Sequence, residues 1–119
     1  MKKALAISIM LMFAGMPAKA HVMIKSSNIE HGGIYDAAPK NPVPENLEFA
    51  FNGDVGLVDI RLETSTGESI ELEYVKPKEF QTVFVIPLPS LGSGSYVFYW
   101  RAIAKDGHAL SGKIEFSVR

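Results

Sequence analysis

Short runs of alternating apolar and polar residues recur about every ten residues, with glycine, proline and polar turn residues between them; this pattern constrains the fold most. Leu47-Glu-Phe-Ala-Phe51 has a period of two and sets Leu47, Phe49 and Phe51 on a core face. Asn52-Gly53-Asp54 breaks it. Val58 to Thr64 then alternates again, with Val58, Ile60 and Leu62 inward and Asp59, Arg61 and Glu63 outward. Further strands are expected over His21 to Ser27, near Ile34 and Tyr35, over Ser69 to Val75, Phe80 to Ile86, Ser95 to Ala104 and Lys113 to Val118. In the first of these Val22 and Ile24 share one side and Met23 takes the other, and Ser95 to Ala104 is expected to be the longest. Asn28 to Glu45 reads as an irregular connection in which Pro39, Pro42 and Pro44 exclude a helix. After residue 20 no window carries a helical period. The class is therefore all-β: about seven strands in an antiparallel, Greek-key β-sandwich of the immunoglobulin or cupredoxin type, with Trp100 in the core between its sheets.

The first twenty residues follow a different logic. Lys2 and Lys3 form a basic start, Ala4 to Met16 an apolar run, and Ala18-Lys19-Ala20 a small-residue cleavage site. The run is short for a bilayer span and no stop-transfer pattern follows, so a cleaved secretory signal is expected over 1–20 and one domain over 21–119. Cleavage removes three lysines and no acids, which leaves nine basic and thirteen acidic residues and a net charge of about −4. A mildly acidic domain without clustered Lys and Arg does not suit nucleic acid. The chain has no cysteine, which excludes thiolate catalysis, zinc fingers and a blue-copper centre.

The residues that carry chemistry lie at opposite ends of the mature chain. Tyr96 to Gly112 is a strong strand signal that ends in a polar turn containing Asp106, Gly107 and His108. An Asp-Gly pair between apolar runs is by itself a hairpin signal, because glycine accepts the positive φ such turns need. A carboxylate and an imidazole two residues apart on a rigid strand end can also face one metal ion. Cleavage after Ala20 exposes the α-amine of His21, and an amino-terminal histidine offers that amine and its ring Nδ1 as a six-membered chelate. With the imidazole of His108 and the carboxylate of Asp106, the set becomes three nitrogens and one oxygen. That set suits the tetragonal geometry of Cu(II), which also outranks Ni(II) and Zn(II) at nitrogen-rich sites.

A signal ending before His21, Ala38-Pro39 ahead of Leu47-Glu-Phe-Ala-Phe51, a G-x-Y-x-x-x-W-R segment from Gly94 to Arg101, then Asp106-Gly-His108 and Gly112-Lys-Ile-Glu-Phe116, together resemble the CopC family of periplasmic copper-binding proteins. The resemblance spans essentially the whole mature chain, and its most specific part is the W-R segment followed by D-G-H, taken with the amino-terminal histidine. It implies a seven-stranded Greek-key sandwich that holds Cu(II), one per chain, through His21, Asp106 and His108. It also implies copper carriage, uptake or tolerance in the periplasm, beside an inner-membrane copper transporter of the CopD type, and no catalytic activity. Two departures are visible. Many family members place a Glu just after the strand matching Phe49 and Phe51, where this chain reads Asn52-Gly53-Asp54, so that contact is missing or falls to Asp54 or water. Some members carry a methionine-rich loop for Cu(I); here Met23 is the only methionine after residue 20, so a single Cu(II) site and no Cu(I) store are expected.

Other classes account for parts of the pattern. An amino-terminal histidine with a second histidine is also the copper brace of polysaccharide monooxygenases, which are usually larger and present a flat substrate face. A metal-free adhesion or binding module would make His21 an accident of cleavage and Asp106-Gly107-His108 only a turn. His31, in a Glu-His-Gly-Gly loop, reads as a solvated residue, as do Asp36, Glu45, Glu68, Glu71 and Glu73.

Overall fold

The computed structural model describes residues 22–37 and 40–119; the expected leader over 1–20, His21 and the Ala38-Pro39 pair lie outside the described residues. Among the described residues seven strands account for the regular structure: β1 (Ile24–Ser27), β2 (Gly33–Tyr35), β3 (Asn46–Thr64), β4 (Ser69–Ile70), β5 (Gln81–Pro87), β6 (Gly94–Ala104) and β7 (Ala109–Val118). Among the described residues no helix is long and apolar enough to cross a membrane.

Strand β3 organises the molecule. Its first half lies between β1 and β5, through Phe49↔Ser27 and Phe49↔Phe84, and its second half lies between β6 and β4, through Leu62↔Phe98 and Leu62↔Ile70. One strand thus belongs to both layers of the sandwich. The transfer happens at residues 51–54: the β5 register passes from Ala50↔Val83 to Val55↔Gln81, which leaves four residues of β3 opposite the single residue Thr82. A local excess of this kind bends and twists the bulged strand. The second layer continues from β3 through β6 to β7, and β2 joins β7 in parallel through Ile34↔Ser117.

Several expectations change in this light. Asn52-Gly53-Asp54 is a bend inside one strand, not a gap between two, so β3 rather than β6 is the longest strand. Val58 points outward. The β6 register shifts between Leu57↔Ala102 and Asp59↔Arg101, so Val58 is an extra residue that moves the inward set from Val55 and Leu57 to Ile60 and Leu62. Ser69 to Val75 forms a ladder only at its first two residues, although Leu72 and Tyr74 still turn inward against the core. Just after that stretch the Lys76 ammonium donates to the Val58 carbonyl at 2.6 Å. The parallel β2–β7 pair departs from a purely antiparallel sandwich.

Alternation fills the core as expected from Leu47, Phe49 and Phe51, each almost fully buried, with Phe84 and Ile86 from β5, Phe98 and Trp100 from β6, and Ile114, Phe116 and Val118 from β7. Phe49 is the centre: its ring lies 5.6 Å from Phe84, 5.6 Å from Phe98 and 6.4 Å from Trp100, joining both layers. Trp100 is buried between the sheets, edge-on to Phe51 at 5.1 Å. Its indole covers the backbone of its cross-strand partner Gly112, where an added Cβ would sit 2.6 Å from the ring. Tyr96 stacks on Phe116 and donates its hydroxyl hydrogen to the Gly92 carbonyl at 2.6 Å, so the buried phenol keeps a partner.

Candidate metal centre

Strands β6 and β7 pair continuously from Gly94↔Val118 to Ile103↔Ala109, and the turn that joins them holds Asp106 and His108. Ala104 donates its N–H to the His108 carbonyl at 2.8 Å, and Gly107 donates to the Ala104 carbonyl at 2.9 Å. Gly107 has φ of 93°, a left-handed conformation that a residue with a Cβ adopts only at a cost. The result is a three-residue loop with its glycine at the left-handed position, as the Asp-Gly signal predicts.

The aspartate does more than favour the turn. One carboxylate oxygen of Asp106 accepts the backbone N–H of His108 at 3.0 Å, and the other lies 2.8 Å from His108 Nδ1. A carboxylate only accepts, so in the neutral imidazole Nδ1 carries the hydrogen and Nε2 presents its lone pair. Both side chains are largely exposed, His108 at 78% and Asp106 at 61%, so that lone pair faces an accessible surface. The backbone bond from His108, and then the bond from its ring, hold the Asp106 carboxyl below its usual range. An imidazole oriented by a carboxylate through one nitrogen, with the other free, is the arrangement by which proteins present histidine to metals.

The beginning of the described chain reaches the same end of the sandwich. Val55↔Ala104 sets the bend of β3 beside the base of this hairpin, and the Lys105 ammonium bridges to the Asp54 carboxylate at 3.2 Å. On the other side of the bend, Asn52 donates its N–H to the Met23 carbonyl at 3.1 Å, while Met23 donates its own N–H to the Asn52 side-chain oxygen at 2.9 Å. Val22 packs at Gly53, where an added Cβ would lie 3.3 Å from its methyl group. Three consecutive residues of β3 therefore touch Met23, Val22 and Lys105 in turn.

Of the three ligands expected from the sequence, Asp106 and His108 are brought together and His21 lies outside the described residues, next in the chain to Val22. Among the described residues no group of three or more His, Asp or Glu could hold a metal ion. Asp54 is engaged by Lys105. His31 is not merely solvated: its Nδ1 accepts the Glu115 N–H at 3.1 Å, and Gly32 donates to the Glu115 carbonyl, pinning the 30–33 turn to β7. The residues that sequence reasoning did not single out are Asn52, Gly53 and Lys105. The only local sign of the first two is that Asn52-Gly53-Asp54 interrupts an apolar strand; Lys105 has none.

A model of the CopC domain matches residues 24–119, most of the chain, and the match includes Asp106 and His108. The chain belongs to the CopC family. This CopC domain is similar in structure to CopC from Methylosinus trichosporium OB3b, at 24% identity and a TM-score of 0.63, covering 82% of this chain and 93% of that one. It is also similar to PcoC, a methionine-rich copper resistance protein from Escherichia coli, at 21% identity and a TM-score of 0.62, covering 84% and 100%. At these identities the likeness is one of fold. No curated protein sequence matches the chain at the significance required. Against the methionine-rich description of PcoC, this CopC domain has Met23 alone after residue 20.

Proposed function

We propose that the mature protein is a periplasmic copper carrier, without catalytic activity, that holds one Cu(II) at the β6–β7 turn. The α-amine and ring nitrogen of His21 and the Nε2 of His108 would supply the nitrogens. Asp106 would orient the His108 ring and add carboxylate charge, its two oxygens each engaged by His108 and each keeping a further lone pair that could reach the metal. The observation that carries this reading is the Asp106–His108 pair itself, which holds Nδ1 in a 2.8 Å contact and leaves Nε2 as the exposed donor. Membership of the CopC family and the Met23-Asn52 and Asp54-Lys105 links across one bend support it. The donor chemistry fits copper: nitrogen with one oxygen and no thiol favours Cu(II), and a single thioether gives no cluster for Cu(I).

The role in the cell that follows is carriage, uptake or tolerance of copper, with delivery to an inner-membrane transporter of the CopD type. The test is an electron paramagnetic resonance spectrum of the protein beginning at His21, with one equivalent of Cu(II), beside a form carrying one additional residue before His21. The expected result is a tetragonal spectrum with nitrogen couplings that changes in the extended form. No specific signal, or one indifferent to the extension, would mean that the resemblance is of fold alone and would turn the reading to a metal-free binding module on the same sandwich.

A further inference from the structure

The start of β1 is held in an unusual way. Continuing the register Ile24↔Phe51 by one residue sets Met23 opposite Asn52, a pair that in a regular antiparallel ladder exchanges two backbone bonds. The Asn52 N–H goes to the Met23 carbonyl at 3.1 Å. The Met23 N–H turns instead to the Asn52 side-chain oxygen at 2.9 Å. Strand β3 is bending toward the other layer here, and the side-chain amide continues a ladder that the backbone leaves. The following residue, Gly53, receives Val22 against its bare Cα, with room that a side chain would remove. Asn52 and Gly53 together seat the two residues that follow His21.

We propose that Asn52 is a positioning residue for the amino-terminal copper ligand, acting by seating Met23 and Val22, the two residues that follow His21. The inference rests on the copper reading above. Chain ends fray unless tied down, and a frayed end must be ordered at the moment it captures a metal. An end already anchored two residues from its amine loses less freedom on binding, so its affinity is higher. The role needs an oxygen acceptor at the reach of an Asn side chain. Leucine matches the shape of asparagine and lacks the acceptor; aspartate keeps it.

The test compares Asn52→Leu, Asn52→Ala and Asn52→Asp with the wild-type protein, each beginning at His21. Cu(II) affinity is measured by competition, the nitrogen couplings by paramagnetic resonance, and metal-free stability by thermal melting. Asn52→Leu is expected to bind Cu(II) about fivefold to tenfold more weakly, the scale of one hydrogen bond. Its couplings should become mixed, with little change in metal-free melting because the bond is exposed. Asn52→Ala, which removes the acceptor without bulk, is expected to behave alike even if the leucine variant folds poorly. Asn52→Asp should restore the wild-type couplings. Wild-type affinity and couplings in Asn52→Ala, in a protein whose spectrum still responds to an added residue before His21, would overturn the positioning role and leave the copper site standing. A wild-type spectrum that ignores the added residue would overturn the copper reading, and this inference with it.

Discussion

At the scale of single residues, the site depends on protonation and on one tautomer. Replacing His108 with Ala removes the exposed nitrogen and is expected to lower Cu(II) affinity by more than about a hundredfold, measured by competition titration, with the metal-free fold unchanged because the side chain is solvated. Asp106→Asn keeps an oxygen for the His108 N–H, but its amide can donate to Nδ1 and move the ring hydrogen to Nε2, blocking the ligand. A loss of about tenfold to a hundredfold is expected. The pH dependence has two parts. The His108 bonds lower the Asp106 pKa, so the carboxylate's link to His108 is complete above the usual carboxylate range and is lost only as pH falls through that lowered value. The amine and imidazoles must give up protons to bind copper, so protons compete with the metal and apparent Cu(II) affinity falls on acidification. The apparent Kd for Cu(II), followed by competition titration, should therefore rise steadily as pH is lowered; an affinity indifferent to pH would contradict nitrogen ligation.

At the scale of elements, the β6–β7 hairpin and the bend of β3 hold the site from two sides. Gly107 sits at positive φ in the hairpin loop, and Gly107→Ala should cost about 1 kcal/mol in urea unfolding while displacing His108 and weakening copper. Gly112→Ala acts further along β7, where its Cβ would meet the Trp100 indole at 2.6 Å. A loss of about 1–3 kcal/mol is expected from that overpacking, read as an earlier unfolding midpoint at unchanged slope. The hairpin was legible in the sequence, because Asp106-Gly107 is a local turn code and its strands alternate cleanly on both sides. The continuity of β3 was not. Asn52-Gly53-Asp54 carries the residues of a turn, yet the chain remains extended there because β1 and β5 pair before it and β6 after it. Val58 was misplaced for a related reason: one bulged residue exchanges the two faces, and alternation read outward from Leu62 takes no account of it.

At the scale of the whole molecule, both layers share one strand and one core, so the domain is expected to unfold as a unit. Phe49→Ala, at the junction of the layers, should cost about 3–5 kcal/mol and lower the melting temperature in a single transition. Saturating copper should raise that temperature by mass action, and more in the wild-type protein than in His108→Ala. Whatever depends on near neighbours is written in the order of residues: the all-β class from period-two runs, the core face of Phe49 and Phe116, the burial of Trp100, and the Asp106–His108 turn. Asp106 and His108 are two residues apart, so their meeting is local and could be read before any fold was known. The passage of β3 between layers, the pinning of the 30–33 turn to β7 by His31, the hold of Asn52 on Met23 across 29 residues of chain and that of Asp54 on Lys105 exist only in the folded chain. Those contacts arise where a strand bends and its backbone stops pairing regularly. Side chains from distant segments then take over the bonding, and no periodicity in the sequence records which of them will meet.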